Sequence, residues 1–350
     1  MATIRAIVLV SEKTAGIRDV PMPKIRDEWV LVKTKAVAVN PTDWKHVDFS
    51  WTNVGSRIGC DYAGIVVAVG SKVAGLEKGD RVAGFCQGSH SYDHETGAFG
   101  DFVLAKSSAQ FKIPDNMSFE RAASVPVSMF TCAGGLYESL GLPLPNAPSD
   151  KQIPVLIHGG STATGVLGIQ FAKASGLFVV TTASPRNFEY LKSVGADAVF
   201  DYKSPSCGED IRMLTNNSLK YAWDCVGGGE EICGKALSSS ERSKYGTINF
   251  SDGKLLNEIN PLTSDPTFYV ALDAVDEPYS LRGSHREPPK HHAEFATMFK
   301  EIARDLLQSG RVQPINIDVN RGGPGLEGVL KGLDELRNGK VSAQKLVYTL

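Results

Sequence analysis

The stretch "VLIHGGSTATGVLG", Val155 to Gly168, sets glycines and hydroxyls where a buried strand gives way to a helix. Such a turn can hold phosphate, because the first N–H groups of a helix have no partner within it and its dipole is positive there. Gly159 and Gly160 allow the sharp turn, and Gly165 lets the helix pack closely on the sheet. Where a dinucleotide fingerprint usually has its middle glycine stands Ala163. Its methyl pushes a diphosphate outward and leaves the hydroxyls of Ser161, Thr162 and Thr164 to make the contacts. The plainer alternative is a turn in which these residues only cap the helix.

The following strand bears on which dinucleotide fits. An NAD site places an acid about 20 residues past the glycines to hold the ribose 2′-OH, whereas an NADP site removes that charge. Here the strand runs out as "TTASPRNFEY", with Ser184 and Arg186 and no acid before Glu189 in the next helix. NADPH is therefore the expected cofactor. His90 and His94, four apart in "HSYDHETGAFG", would share a face of a helix, but the glycines around them make this a loop, and no metal site is expected.

These residues need a scaffold, and the pattern of elements predicts one. Up to about residue 120 the chain is short β-rich segments cut by glycine and proline, among them "IRAIVLV", "WVLVKTKAVAV", "GCDYAGIVVAVGSKV" and "FGDFVLAK". They suggest a small, partly closed β-structure. From Phe119, "FERAASVPVSMFTCAGGLYESLGL" reads as one or two helices broken or kinked at Pro126. Strands "VLIH", "LFVVTTA", "AVFDY", "YAWDCV" and "YGTINF", the first of them alternating with helices "GVLGIQFAKASG" and "RNFEYLKSVGA", imply an α/β doubly wound parallel sheet. Residues 251–293, polar and proline-broken, read as an irregular excursion before a long helix "AEFATMFKEIARDLLQSG" and a closing strand in "GKVSAQKLVYTL".

Composition narrows the function classes. A net charge of -2 over 350 residues argues against nucleic acid or an anionic membrane as the main partner and favours a small-molecule site. The apolar run "AIVLV" is too short to span a membrane and lacks the flanks of a signal peptide, so a cytoplasmic location is expected. Six scattered cysteines without a C-x-x-C pair point to reduced thiols and not to a zinc lobe or disulfide framework.

The signatures "GCDYAGIVVAVGSKV...GDRVAGF", "GAFGDFV", "VLIHGGSTATGVLGIQFAKASG", "LKSVGADAVFDY", "DCVG" and "SAQKLVYTL", in this order, resemble the medium-chain dehydrogenase/reductase superfamily over essentially the whole chain. The resemblance implies a GroES-like β-rich catalytic domain from residues 1–124 and 301–350 around a Rossmann NADPH-binding domain at 125–300. Zinc alcohol dehydrogenases of that superfamily carry Cys-x-x-Asp and "GHExxGxV". This chain has "NPTDWK" at Asn40–Lys45 and Cys60-Asp61 instead, so the resemblance is to zinc-free members.

Among those, "GGSTATG", "ASPRNF", "FDY" and "NPTDWK" look most like the trans-acting enoyl reductases that partner fungal highly reducing polyketide synthases. That resemblance implies NADPH-driven saturation of an α,β-unsaturated polyketide thioester on the synthase's acyl carrier protein. By matching position, Gly160, Ser161, Thr162, Thr164 and Gly165 would lie at the diphosphate and Ser184, Arg186, Asn187 and Tyr202 around the 2′-phosphate. Asp224 and Cys225 of "DCVG" and Lys345 of "SAQKLVYTL" would complete the cofactor side. Lys45 and Thr131 would face the substrate, Lys45 as oxyanion partner or proton donor. Where mitochondrial-type relatives place a donor tyrosine, this chain has "HVDFS" with Phe49, so the proton comes from water or Lys45. Two competing readings are a stand-alone NADPH quinone or enone reductase and a silent member kept for binding. The charged, proline-broken region after "YGTINF" blunts a sheet edge, and a monomer is expected.

Overall fold

In the computed structural model, which describes residues 2–350, the glycine turn sits at the carboxyl end of a parallel sheet. The chain forms two compact units, one of residues 1–127, 272–308 and 314–350, the other of 128–271 and 309–313.

The β-rich unit begins with β1 (Thr3–Ser11) and β2 (Thr14–Pro21), an antiparallel pair. Then come β3 (Trp29–Ala38), α1 (Pro41–Asp48), β4 (Asp61–Val69), β5 (Arg81–Phe85), β6 (Phe102–Lys106), β7 (Gln110–Lys112) and α2 (Phe119–Ala123). α3 (Pro126–Cys132) follows directly, its first residue the proline expected to interrupt the helix, and passes into a π-helical turn at Ala133–Ser139.

The second unit continues with β8 (Pro154–His158), α4 (Ala163–Ala174), β9 (Phe178–Ala183), α5 (Phe188–Ser193), β10 (Ala198–Asp201) and α6 (Cys207–Leu214). After them come β11 (Tyr221–Asp224), α7 (Glu230–Ala236), β12 (Lys244–Thr247), α8 (Lys254–Ile259) and β13 (Thr267–Phe268). The strand order is β10-β9-β8-β11-β12-β13, every neighbour parallel. That is the Rossmann order, and its switch point lies between β8 and β11, where a ligand meets the carboxyl ends of the strands. β8 reads "PVLIH", apolar throughout its middle because helices cover both faces. Leu156, Val180, Ile211, Ala222, Cys233 and Tyr245 form the core of this unit.

The chain then returns to the first unit with β14 (Tyr279–Leu281), β15 (Ser284–Arg286), α9 (Lys290–Gln308), β16 (Ile317–Val319), α10 (Gly325–Arg337) and β17 (Lys345–Thr349). The excursion at 251–293 thus contains α8 and two short strand pairings. Residues 272–300 group with the β-rich unit, whereas the boundaries drawn from the sequence put them with the cofactor domain. The seven-stranded sheet runs β16-β17-β3-β4-β5-β7, with β6 also on β3. The closing strand therefore pairs with β3 near the other end of the chain. Ile7, Val32, Val47, Phe99, Val329 and Tyr348 share the core of this unit. Among the described residues no helix is long and apolar enough to cross a membrane.

Candidate active site

The turn after β8 is built on two glycines that cannot be replaced without collision. A Cβ at Gly160 would lie 2.1 Å from the Thr181 hydroxyl, and one at Gly165 would lie 2.4 Å from the Gly159 carbonyl oxygen. At Gly165, backbone therefore passes within touching distance of backbone. The Thr162 hydroxyl is committed to the turn itself, accepting from Gly165 N–H at 2.9 Å and donating to the Gly159 carbonyl at 2.9 Å. This corrects its expected role. With its one proton spent, Thr162 caps α4, whereas Ser161 and Thr164 beside it are part-exposed.

At the end of β9 the Ser184 hydroxyl lies 3.5 Å from that of Tyr202, because β10 pairs in register beside β9, Ala183 against Asp201. Arg186 is exposed on the 3-10 turn Pro185–Asn187 and, among the described residues, makes no ion pair; Asn187 is buried. The nearby acids are engaged locally. Asp201 accepts from Lys203 N–H at 3.0 Å, and Glu189 pairs with Lys192 at 3.0 Å.

Asp224, at the end of β11, is fully buried, and its carboxylate collects the N–H groups of Val226, Gly227 and Gly229, each at 2.8 Å, and the Tyr245 hydroxyl at 2.9 Å. Those four bonds engage it, so it shapes the loop beside the switch point. Cys225 is buried in the same loop, its thiol pushed well above the ordinary value by burial.

Lys45 sits on α1 in the β-rich unit, and Thr131 is buried on α3. Helix α1 starts where it does because Asn40 opens it, Pro41 supplies the fixed first turn, and Asp43 accepts the Asn40 N–H at 2.7 Å. The Lys45 ammonium lies 5.8 Å from the centre of the Trp44 ring and makes no ion pair among the described residues. Burial, and secondarily the Arg282 guanidinium, hold it below the usual lysine value.

The two motifs that depart from the zinc dehydrogenase pattern meet next to α1, where Asn40 lies beside Asp61. Here Asp61, fully buried, accepts from the Lys345 ammonium at 2.5 Å, the Asn40 amide at 2.9 Å and Val127 N–H at 2.7 Å. Cys60 is buried with its thiol pushed well above the ordinary range. The donor set does not fit zinc, because the charge facing Asp61 is already a lysine's. Lys345, only 3% exposed, is thereby corrected from a cofactor contact to an internal counter-ion. His90 is likewise occupied, its Nδ1 accepting from Tyr92 N–H at 3.1 Å.

Two family profiles match, the alcohol dehydrogenase GroES-like domain at residues 26–115 and the zinc-binding dehydrogenase at residues 163–239. The trans-enoyl reductase ACTTS2 of Alternaria alternata is 38% identical over 358 residues, covering 100% of both chains. The trans-enoyl reductase resD of Aspergillus sclerotiorum is 39% identical, covering 96% of this chain and 97% of its own. The chain belongs to the trans-enoyl reductase family. An alcohol dehydrogenase superfamily protein from Novosphingobium aromaticivorans shares the fold, with a TM-score of 0.80 at 20% identity over 99% of each chain. The trans-enoyl reductases are thus nicotinamide-dependent oxidoreductases on a GroES-like plus Rossmann scaffold.

Three residues of this trans-enoyl reductase escape a reading by motif. Tyr245 holds Asp224 from the neighbouring strand, and Thr182 accepts the Gly159 N–H at 3.1 Å. Arg282 reaches Lys45's surroundings from a hairpin that resembles nothing in the signatures. Tyr245 stands opposite Ala222, two residues before Asp224 and on the same face of the sheet, and from there its hydroxyl reaches the carboxylate.

Proposed function

We propose that this trans-enoyl reductase uses NADPH to saturate the α,β-unsaturated thioester of a polyketide intermediate presented on the acyl carrier protein of a partner polyketide synthase. The observation that carries the reading is Lys45, a part-buried ammonium without a carboxylate partner. It belongs to a family whose members are named for enoyl reduction. Selection of NADPH over NADH is supported by the end of β9, where Ser184, Tyr202 and the unpaired Arg186 stand and no free carboxylate does.

When bound, the nicotinamide supplies hydride to Cβ of the substrate. The chain does the rest. The Ser161 and Thr164 hydroxyls and the first N–H groups of α4 hold the diphosphate, while Ser184, Arg186, Asn187 and Tyr202 surround the 2′-phosphate. As Cβ gains hydride, charge builds on the thioester oxygen, and a donor already aimed at that oxygen lowers the barrier. Lys45 supplies that donor, and the Thr131 hydroxyl orients the acyl group. No covalent step is needed.

Oxidation of NADPH with an enoyl-pantetheine thioester tests this. Lys45→Ala is expected to lower kcat by about 100-fold, the scale of losing one oxyanion donor, with the Kd for NADPH unchanged. Undiminished turnover removes Lys45 from the mechanism. Turnover with a quinone but with no enoyl thioester replaces the substrate class.

A further inference from the structure

The hairpin β14–β15 has no part in the site as described so far. Its strands pair Tyr279 with Arg286 and Leu281 with Ser284, and Arg282 and Gly283 join them with φ of 52° and 83°. Positive φ at both positions of a two-residue turn is ordinarily the place of Asn-Gly or Gly-Gly. An arginine is costly there unless its side chain is wanted where the turn sends it.

The turn sends it onto Trp51, the guanidinium carbon 5.3 Å from the ring centre. Trp51 lies 5.1 Å from Phe49, and Phe49 lies 6.2 Å from Trp44 on α1, the helix that carries Lys45. On the hairpin's other side the Tyr92 hydroxyl meets His285 Nδ1 at 3.2 Å. These rings reach the surface. Phe49 is 54% exposed and Tyr92 55%, while Trp44 and Trp51 are half-buried. Large aromatic side chains gathered at a surface mark a place that a ligand or partner covers.

Charge says what kind of group covers it. The carboxylates around the rings are engaged: Asp48 binds Arg337, Glu287 binds His285, and Asp93 and Glu95 bind Arg26. Arg282 is exposed, and among the described residues its guanidinium makes no ion pair and no hydrogen bond. Seated over an indole, it keeps the N–H groups at its rim for an oxyanion, and phosphate matches their geometry. The surface therefore suits a flexible, mostly uncharged chain with an anion at one end.

We propose that Phe49, Trp51, Tyr92 and Arg282 seat the phosphopantetheine arm of the acyl carrier protein: Arg282 binds the arm's phosphate, and the rings pack the pantetheine chain, whose thioester end lies toward α1. The arm fits on both counts, with a phosphate at its root followed by a branched hydrocarbon and two neutral amides. This deepens the enoyl-reductase reading above and rests on it. A free enone or quinone carries no phosphate and leaves Arg282 without a partner.

Tryptophan fluorescence, with NADP+ present to fill the nucleotide turn, compares 4′-phosphopantetheine with pantetheine, which lacks only the phosphate. The wild-type chain is expected to bind the phosphorylated form about tenfold more tightly, the scale of one charged hydrogen bond. In Arg282→Gln, which keeps a planar group for Trp51 but no charge, that preference should vanish, and Phe49→Ala should weaken both ligands alike. High salt should narrow the wild-type preference, which reads the phosphate contact without any substitution. A wild-type chain that does not distinguish the two ligands overturns the proposal. So does an Arg282→Gln chain that keeps the full preference, or binding undisturbed by Phe49→Ala. Coenzyme A binding far more tightly than 4′-phosphopantetheine overturns the choice of occupant, since the surface then reads a nucleotide. If the preference and its dependence on Arg282 hold while the chain oxidises no NADPH with any enoyl thioester, the reading of the reaction fails and the seat stands. Turnover of enoyl thioesters without any preference for the phosphate keeps the reaction and removes the seat.

Discussion

Thr162 and Thr164 stand two residues apart and do different work, which makes them separable. Thr162→Val removes both bonds of the α4 cap and should cost about 1 kcal/mol of stability, read as a fall in Tm. Thr164→Val leaves the cap whole and should raise the Kd for NADPH severalfold at unchanged Tm, measured by fluorescence titration. Asp43 makes the pH dependence of folding visible in the same way. Burial raises its carboxyl from 3.8 to about 7. The folded state therefore binds this proton more tightly than the unfolded chain. Its contribution is fully present below about pH 4 and is lost as pH rises through about 7. Asp43→Asn keeps an acceptor for the Asn40 N–H and should flatten Tm over that window.

At the scale of elements, the loop after β11 exists because one carboxylate gathers three amides. Asp224→Ala leaves those buried donors and the Tyr245 hydroxyl without their acceptor, at about 1–3 kcal/mol for each donor that water does not reach. A marked fall in Tm, with a much smaller one for Tyr245→Phe, is the expected outcome. Strands β8 to β12 were legible in the sequence because each is a short apolar run between turn residues. α6 and α7 were not, since "CGEDIRML" and "EEICGKA" hold too few apolar positions to show a period. α10 is masked by the adjoining "RGGPG", although Leu326, Val329 and Leu333 recur at helical spacing and are all buried. The phosphate turn could be located from its sequence, but whether a hydroxyl caps or binds depends on a rotamer. The hairpin carrying Arg282 had no signal beyond the proline-broken texture around it, because its contacts are with residues some 200 positions away.

At the scale of the molecule, Lys345 and Asp61 join strands 284 residues apart in the sequence. Removing the lysine strands a fully buried carboxylate. Lys345→Met should therefore destabilise the chain by about 3–5 kcal/mol, and adding Asp61→Asn should restore part of the loss in thermal denaturation. The same bond explains why the dehydrogenase scaffold stands here without a fit for zinc: an ammonium from β17 neutralises the acid. The sequence showed that zinc ligands were missing but not what had taken their place, because nothing local links "GCD" to "QKL".

β17 lies between β16 and β3 in the sheet. On a ribosome, residues 345–349 are made long after β3, so Ala36–Ala38 must wait for the strand that pairs with them. Residues 128–271, which lie in the other unit, are made well before. Until β17 arrives, the Ala36–Ala38 stretch of β3 is an open edge and Asp61 a carboxylate without its cation, so a chain stalled before β17 displays both to the chaperones and proteases that survey nascent proteins.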